Sequence, residues 1–262
     1  MHRSWLRWTI ALAVAVGLLA GTVVWLRQPV SPSATVLAIV GRDAQRPCSS
    51  LEIIGLRGAG DQFVGTHRSG DDVYAFWLAL RSALAGRAAP LPELYPLPCE
   101  QAPHVLGFPA LIAHDITAGS GLLTRYATAR RERCMATKIV VVGQSEGAAV
   151  VHWAYPAISH DVNAVLLFGD PMRFPGASYE QDLGARGVPT FGLLLALMDF
   201  NPRTGSFEDP IPSDSSLVRS YCLQGDPVCG FNTSYPGSHL SYRNDAHLLV
   251  SAASFVTRTI GE

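Results

Sequence analysis

The sequence carries little net charge and almost no lysine. Its 262 residues have a formal net charge of −1 at pH 7, and Lys138 is the only lysine. Because there is no basic excess, we expect no nucleic-acid partner. Internal repeats and low-complexity tracts are absent as well, and a hydrophobic content of 48% excludes a disordered chain. The length is sufficient for one large domain or two small ones with a buried core.

Cysteine spacings typical of a zinc site are also missing. None of the five cysteines lies in a CxxC pair or a Cys/His cluster, and we expect no metal and no organic cofactor. Outside the cytoplasm, disulfides are the default for such residues. Cys222 and Cys229 are near enough to close a small loop, and Cys48 with Cys134 would tie the start of the domain to its middle. Spacing alone leaves the pairing open, with Cys99 left over.

The N-terminal part of the chain contains one uncharged hydrophobic run. Residues 9–26 are 18 residues without a charge, close to the about 20 that span a bilayer as a helix. Arg3 and Arg7 precede the run, and Trp8 and Trp25 lie near its ends. These features favour a membrane anchor over a cleaved signal peptide, whose apolar stretch is usually about 7 to 15 residues. Either alternative exports the rest of the chain, because the positive residues stay inside.

The expected domain boundaries follow from this run. Residues 1–30 are the membrane anchor or signal segment. Residues 31–47 contain prolines and several polar residues, and we expect a tether with a short strand over 34–40. A single globular domain is expected over 48–262.

Beyond the tether, short apolar runs alternate with segments of helical periodicity. The run 138–142 is continuous and β-branched, as in a central parallel strand, whereas the proline-rich stretch 90–98 is expected to be a loop. The other expected strands are 51–56, 104–108, 163–168 and 216–222, and the expected helices are 71–84, 122–133, one that starts near Ser145, and 246–260. The alternation predicts an α/β fold with a central parallel sheet and helices on both faces.

One motif in this alternation carries chemistry. Residues 143–147 read Gly-Gln-Ser-Glu-Gly, a match to G-x-S-x-G. Five residues alone are a weak signal, but a buried strand precedes them and a helix rich in small residues follows. In that context the motif predicts a nucleophile elbow, which exposes the hydroxyl of Ser145 at a sharp strand-to-helix turn. The alternative is a glycine-rich turn with an ordinary serine cap.

A nucleophilic serine needs a histidine base, and four histidines follow Ser145. His239 is the expected base, because it lies in a Gly/Ser-rich loop just before the last helix. His152 lies about two turns along the elbow helix and is expected to point away from Ser145. His160 precedes a strand at the wrong end of the sheet, and His247 lies within the last helix.

The histidine in turn needs an acid to orient it. Asp226 is the expected acid, because it lies in the sequence CLQGDPVC, a loop that a Cys222–Cys229 disulfide would hold rigid. Asp170, in FGDP after the next strand, is the rival. A turn or cap residue is the simpler interpretation of Asp170, since Asp-Pro commonly supplies one.

Taken in order, these motifs resemble those of the cutinase family of serine esterases, especially the membrane-anchored actinobacterial cutinase-like proteins. The resemblance covers about residues 48–260. It rests on Cys48, Arg57-Gly58, Cys134 ahead of KIVVVGQSEGA, FGDP, CLQGDPVC and HLSY. It implies an α/β-hydrolase fold with Ser145 as nucleophile, Asp226 as acid and His239 as base. It also implies Cys48–Cys134 and Cys222–Cys229 disulfides and leaves Cys99 unpaired.

The sequence departs from the family pattern in three places. The elbow reads Gln-Ser-Glu where the family usually has Tyr-Ser-Gln, so that Glu146 could oppose the oxyanion or turn away toward solvent or an arginine. Ala59 replaces a Ser or Thr whose side chain would donate to the oxyanion. The gap of 81 residues between Ser145 and Asp226 is long, with the excess around 172–215. Its apolar segment 191–198 is expected to be a buried strand or core helix, and a flap beside the site is the alternative.

These residues predict an extracytoplasmic serine hydrolase that acts on lipid or acyl esters. The backbone N–H groups of Ala59 and Glu146 are expected to hold the oxyanion. We expect a monomer whose only other partner is the membrane that its N-terminal segment contacts. The alternative is a catalytically weak cutinase-like envelope protein that binds acyl chains or a partner, an interpretation that Glu146 and Ala59 motivate.

Overall fold

A computed structural model describes residues 32–59, 67–85, 92–98, 109–183, 200–201, 206–207, 209–230 and 236–261. Within these residues the strands of the main sheet are β1 (Leu51–Leu56), β2 (Glu93–Pro96), β3 (Lys138–Gln144), β4 (Ala164–Phe168), β5 (Glu180–Leu183) and β8 (Val218–Leu223). Their order is β2-β1-β3-β4-β8-β5, and every neighbouring pair is parallel. Two short strands, β6 (Phe200–Asn201) and β7 (Ser206–Phe207), form a separate antiparallel pair.

Helices cover both faces of this sheet. They are α1 (Ala34–Asp43), α2 (Asp71–Leu84), α3 (Pro109–Arg133), α4 (Glu146–Ile158) and α5 (Ala246–Ile260). One hydrophobic core joins the sheet to α3 and α4, and a second joins its other face to α2 and α5. The predicted α/β architecture with a parallel sheet between two helical layers is therefore correct.

Helices α3 and α4, which lie on the same face of the sheet, pack closely against each other. A Cβ atom on Gly119 of α3 would lie only 2.9 Å from a methyl group of Val150 on α4. A larger residue at this position would push the two helices apart. The crossing keeps α4, the helix that follows the G-x-S-x-G motif, against the sheet.

The sequence-based expectations were wrong for two elements, and for a third they gave a helix that is too short. The stretch 90–98, expected to be a loop, contains the edge strand β2, whose last residue is Pro96. An edge strand tolerates proline because one side of its backbone has no strand partner. Helix α3 begins at Pro109 rather than near 122, since proline fits the first position of a helix. The strand expected over 104–108 lies outside the described residues.

The second wrong expectation concerns the segment before Cys48. Residues 34–40, expected to form a short strand in a tether, belong to the helix α1, which packs against α3 and buries Val40. The side chain of Ser33 caps this helix by accepting the N–H of Val36 at 3.3 Å. The Cys48–Cys134 disulfide ties the end of this region to the C-terminal end of α3.

A buried ion pair holds the same region to the sheet. Arg130 on α3 and Glu52 on β1 are both fully buried, with 2.7 Å between the guanidinium and a carboxylate oxygen. Arg130 also donates to the carbonyl groups of Ala44, Arg46 and Pro47, which follow α1. These bonds give hydrogen-bond partners to carbonyl groups of the segment between α1 and Cys48.

No helix among the described residues is long and apolar enough to cross a membrane. The hydrophobic run 9–26 lies outside the described residues, as do the other residues up to 31.

Candidate active site

Ser145 lies at the turn between β3 and α4. Among the described residues it is the only non-glycine residue with a positive φ, at 54°. The turn needs Gly147, because a Cβ there would lie 2.4 Å from the carbonyl oxygen of Leu56. The N–H of Ser145 donates to the carbonyl of Phe168, at the end of β4, at 2.9 Å. A strained turn of this kind presents the serine hydroxyl above the sheet.

His239 joins the Ser145 hydroxyl to a carboxylate. It lies in the 3₁₀ turn Pro236–Leu240 ahead of α5. Its Nε2 is 2.8 Å from Oγ of Ser145, and its Nδ1 is 3.0 Å from each carboxylate oxygen of Asp226. When Nδ1 carries the proton that Asp226 accepts, Nε2 directs its lone pair at the hydroxyl.

Asp226 is buried in the loop after β8, which the Cys222–Cys229 disulfide closes. Its carboxylate accepts the N–H of Val228 at 2.8 Å in addition to the His239 ring. Burial alone would raise the pKa of Asp226, but its hydrogen bonds and the charge of His239 outweigh that effect and lower the pKa. The acid is therefore ionised when His239 needs a counter-charge.

Tyr242 is a further member of this hydrogen-bond chain that the sequence analysis did not single out. It is completely buried, and its hydroxyl donates to Asp226 at 2.6 Å. The same oxygen accepts the N–H of Leu223 at 3.3 Å. Burial and the Asp226 charge raise the pKa of Tyr242, so the hydroxyl keeps its proton. The sequence signal that could have indicated this role was the position of Tyr242 in HLSY, three residues after His239.

Gly169 lies against the back of the Asp226–His239 pair. Its φ is 61°, and a Cβ at this position would lie 3.0 Å from Oδ2 of Asp226 and 3.0 Å from Cε1 of His239. Both the backbone conformation and the close approach favour glycine. Glycine at this position of FGDP therefore allows the end of β4 to approach the side chains of Asp226 and His239 closely.

The loop after β1 lies beside the elbow. A Cβ on Gly58 would lie 2.2 Å from Oε1 of Gln144 and 3.0 Å from the Ser145 Cβ. The buried Gln144 side chain donates to the backbone carbonyl of His239 at 3.2 Å. Gln144 thus links the β1 loop to the turn that carries the base. Ala59 follows as a half-buried turn residue.

Glu146, the residue after the nucleophile, is buried at 6% exposure rather than turned to solvent. Burial raises its pKa to about 8, and the charge of Asp115 adds to the rise, whereas Arg57 opposes it. Its carboxyl group is therefore mostly protonated at neutral pH. Of the orientations that the sequence left open for Glu146, the one toward solvent is wrong.

The other histidines lie elsewhere. His160 and His247 are exposed. His152 is fully buried on α4, where its Nδ1 lies 2.6 Å from Oδ2 of Asp170 and its Nε2 lies 2.9 Å from Oδ1 of Asp209. Asp170, the rival acid, therefore binds a histidine other than His239, and Oδ1 of Asp170 also accepts the N–H of Met172 at 2.8 Å, as a turn residue would.

Parts of the predicted site lie outside the described residues: Cys99 and the apolar segment 191–198. The part of the chain that the structure describes has no group of three or more His, Cys, Asp or Glu residues arranged to hold a metal ion.

Comparison with known proteins identifies the family. The family model "Cutinase" matches residues 47–260. The chain belongs to the cutinase family.

Individual relatives are similar at a lower level. Cutinase 4 of Emericella nidulans is 30% identical over 131 residues, which cover 50% of this chain and 41% of that protein. The cutinase of Monilinia fructicola is 23% identical over 235 residues, 88% of this chain and 92% of that one. The chain therefore spans less than half of the first of these relatives.

Solved structures share the fold. An acetylxylan esterase structure has a TM-score of 0.60 at 19% identity and covers 82% of this chain and all of that one. A cutinase-like protein from Cryptococcus sp. has a TM-score of 0.56 at 20% identity, with 82% and 96% of the two chains covered. At these identities the likeness shows the α/β-hydrolase fold alone.

Proposed function

We propose that the chain hydrolyses carboxylic esters through a Ser145–His239–Asp226 triad. The observation that supports the proposal is the unbroken hydrogen-bond chain from the Asp226 carboxylate through the His239 ring to Oγ of Ser145. The domain that carries it extends over residues 48–262, and α1 packs onto that domain.

In the first half of the reaction, Oγ of Ser145 attacks the ester carbonyl carbon while its proton moves to Nε2 of His239. Asp226 stabilises the imidazolium that results. The tetrahedral intermediate then collapses, the bond between the carbonyl carbon and the alcohol oxygen breaks, and the alcohol leaves with the proton from Nε2.

In the second half, water attacks the acyl-enzyme. His239 accepts a proton from that water, the carboxylic acid is released, and Oγ of Ser145 regains its proton. No step requires a metal or an organic cofactor.

The backbone N–H groups of Ala59 and Glu146 form the proposed oxyanion hole. Gly58 beside Ser145 and the helix start at Glu146 bring both segments next to the nucleophile. The N-terminus of α4 also favours negative charge at this point. Because the pKa of Glu146 is raised to about 8, its side chain adds little negative charge near the oxyanion at neutral pH.

The proposed substrates are lipid or other acyl esters outside the cytoplasm. Two disulfides are typical of an oxidising compartment, and the hydrophobic run at 9–26 would export the domain and hold it at a membrane. We also propose a monomer, because Ser145, His239 and Asp226 all come from one chain and the triad needs no partner subunit.

A catalytically weak acyl-binding protein is the second candidate. It is favoured by Ala59, which has no hydroxyl to donate to the oxyanion. One missing donor of this type raises the barrier by about 2.7–4 kcal/mol, which would slow an enzyme without abolishing turnover.

Turnover of short-chain p-nitrophenyl esters tests the proposal. We expect saturable hydrolysis that Ser145→Ala abolishes, while the matched variant Ser159→Ala, at the far end of α4, keeps it. Binding of an acyl chain without release of p-nitrophenol would support the second candidate and contradict the first.

A further inference from the structure

The chain contains a second histidine that is bound by aspartates, and the proposed mechanism does not use it. His152 contacts a carboxylate at each ring nitrogen, Asp170 at Nδ1 and Asp209 at Nε2. Each carboxylate accepts a further backbone N–H, from Met172 and from Ile211, at 2.8 Å. The hydroxyl of Tyr179 donates to the other oxygen of Asp209.

Geometry fixes the charge of this histidine. A neutral imidazole has one nitrogen without a proton, and that lone pair would face a carboxylate lone pair in this arrangement. With both aspartates ionised, His152 carries protons on both nitrogens. The two aspartates raise the pKa of His152 to about 10 against the opposing effect of burial. Since the ring is fully buried, it has no access to a substrate.

The segment that Asp170 belongs to contacts every part of the proposed triad. The carbonyl of Phe168 accepts the N–H of Ser145, and Gly169 lies against both Asp226 and His239.

The same segment reaches the acid loop. Arg173 donates to the carbonyl of Cys229 at 3.2 Å, in the disulfide-closed loop that carries Asp226. Arg173 is itself held by Glu180 at 2.5 Å. Residues 168–173 thus form a strap across the nucleophile turn, the base and the acid loop.

We propose that His152 is a positioning residue for the triad: its Nδ1–H bond to Asp170 ties the strap 168–173 to the helix that begins at the nucleophile. Ser145 and His152 lie on one rigid turn-and-helix unit, whereas Asp226 and His239 are placed through Gly169. The bond from His152 to Asp170 therefore sets the distance between the serine oxygen and the imidazole. The bond to Asp209 lies on the other side of the ring and holds the chain that returns toward β8.

A pair of substitutions separates the two bonds of His152. In His152→Asn the side-chain amide can replace the Nδ1–H donor to Asp170, and in His152→Gln the amide reaches the place of the Nε2–H donor to Asp209. Both variants lose the positive charge, so that its effect cancels when they are compared. The experiment measures kcat and KM for a short-chain p-nitrophenyl ester, with the melting temperature of each variant as a check of folding.

The inference rests on the proposed triad, and we expect the two variants to differ in kcat. His152→Gln should lower kcat about tenfold to a hundredfold, the range that a misplacement of about 1 Å produces, with little change in KM. His152→Asn should recover most of that loss. Equal kcat in the two variants, at wild-type level or equally reduced, would overturn the positioning role.

A further variant covers the case in which His152→Gln does not fold. Asp170→Asn keeps the size of the side chain and weakens the same bond, and Asp209→Asn is its match on the far side of the ring. The positioning role requires a lower kcat in Asp170→Asn than in Asp209→Asn, and the reverse order would reject it. Wild-type protein that is folded but shows no Ser145-dependent turnover would reject the triad itself, a result distinguishable from loss of the positioning role alone.

Discussion

The two Asp–His pairs of this protein share the type of contact at Nδ1 of the histidine and differ in the contact at Nε2. In both pairs Nδ1 meets an aspartate, Asp226 for His239 and Asp170 for His152. At Nε2, however, His239 meets the hydroxyl of Ser145, whereas His152 meets the carboxylate of Asp209.

This difference decides the chemistry that each histidine can perform. A hydroxyl can give its proton to Nε2, so His239 can act as a base. A second carboxylate holds a proton on Nε2 and gives none, so His152 remains a buried cation that links segments of chain. An aspartate–histidine contact alone therefore does not identify a catalytic pair, and the group at the second nitrogen must be known as well.

The largest expected effect comes from removing the carboxylate of Asp226, and the comparison is Asp209, the carboxylate at Nε2 of His152. Asp226→Asn should lower kcat roughly 10⁴-fold, because the amide does not hold the correct tautomer of His239 or stabilise its cation. Asp209→Asn should lower kcat far less and act mainly on stability. Steady-state kinetics on both variants, with His247→Ala as a surface control, measure the contrast. Comparable losses of kcat in Asp226→Asn and Asp209→Asn would erase the distinction between the pairs.

A smaller loss is expected where the strap touches the catalytic pair. Gly169→Ala places a methyl group 3.0 Å from Asp226 and His239, and we expect kcat to fall about tenfold to a hundredfold. Gly176→Ala is the matched control, because Gly176 also has a positive φ, 95°, but has nothing within 4 Å of a Cβ. Both variants should lose stability through backbone strain. Loss of kcat in the Gly176 variant as well would mean that strain, rather than the contact, is responsible.

The two disulfides should separate activity from stability. The chain-entropy estimate is about 2.5 kcal/mol for the short Cys222–Cys229 loop and about 4.6 kcal/mol for the long Cys48–Cys134 loop. Replacing both cysteines of a pair by serine should therefore lower the melting temperature more for Cys48–Cys134. Activity at a permissive temperature should fall more for Cys222–Cys229, since that loop holds Asp226. If the pair that affects activity more is Cys48–Cys134, the disulfide does not position the acid.

The smallest effect is expected at Glu146 and depends on pH. Its pKa of about 8, raised from 4.5, means that the folded protein keeps a proton that the unfolded chain releases. Its contribution to stability is therefore present below pH 4.5 and is lost as the pH rises toward 8.

Above pH 8 the Glu146 anion opposes the oxyanion, so wild-type kcat should fall there, while Glu146→Gln should show no such fall. Parallel profiles of kcat against pH for the two proteins would show that Glu146 is not the titrating group.

The strands β1, β3, β4 and β8 in the middle of the sheet were predictable because they carry apolar runs that indicate burial. The strands at 51–56 and 138–144 have this character. Residues Ser145, Asp226 and His239 could be named because a strand-to-helix turn and two loops at the same sheet edge leave few alternatives. The order of motifs in the cutinase family then selects among them.

Other features could not be predicted from the sequence, because they depend on contacts between residues that are far apart in the chain. Helix α1 acquires its stability from α3 and from Arg130, which is more than 80 residues away. The partners of His152 lie 18 and 57 residues further along the chain, and no periodicity connects them. Tyr242 is close to His239 in sequence, but an aromatic residue before a helix is more often core than part of a catalytic chain.

Covalent labelling of the folded wild-type protein with a fluorophosphonate tests the triad most directly. We predict one label per chain, mapped by mass spectrometry to Ser145, at a rate that His239→Ala lowers by orders of magnitude and that His247→Ala leaves unchanged. A folded protein that takes up no label, or one whose label maps to another serine and persists in Ser145→Ala, would contradict the assignment of Ser145 and His239.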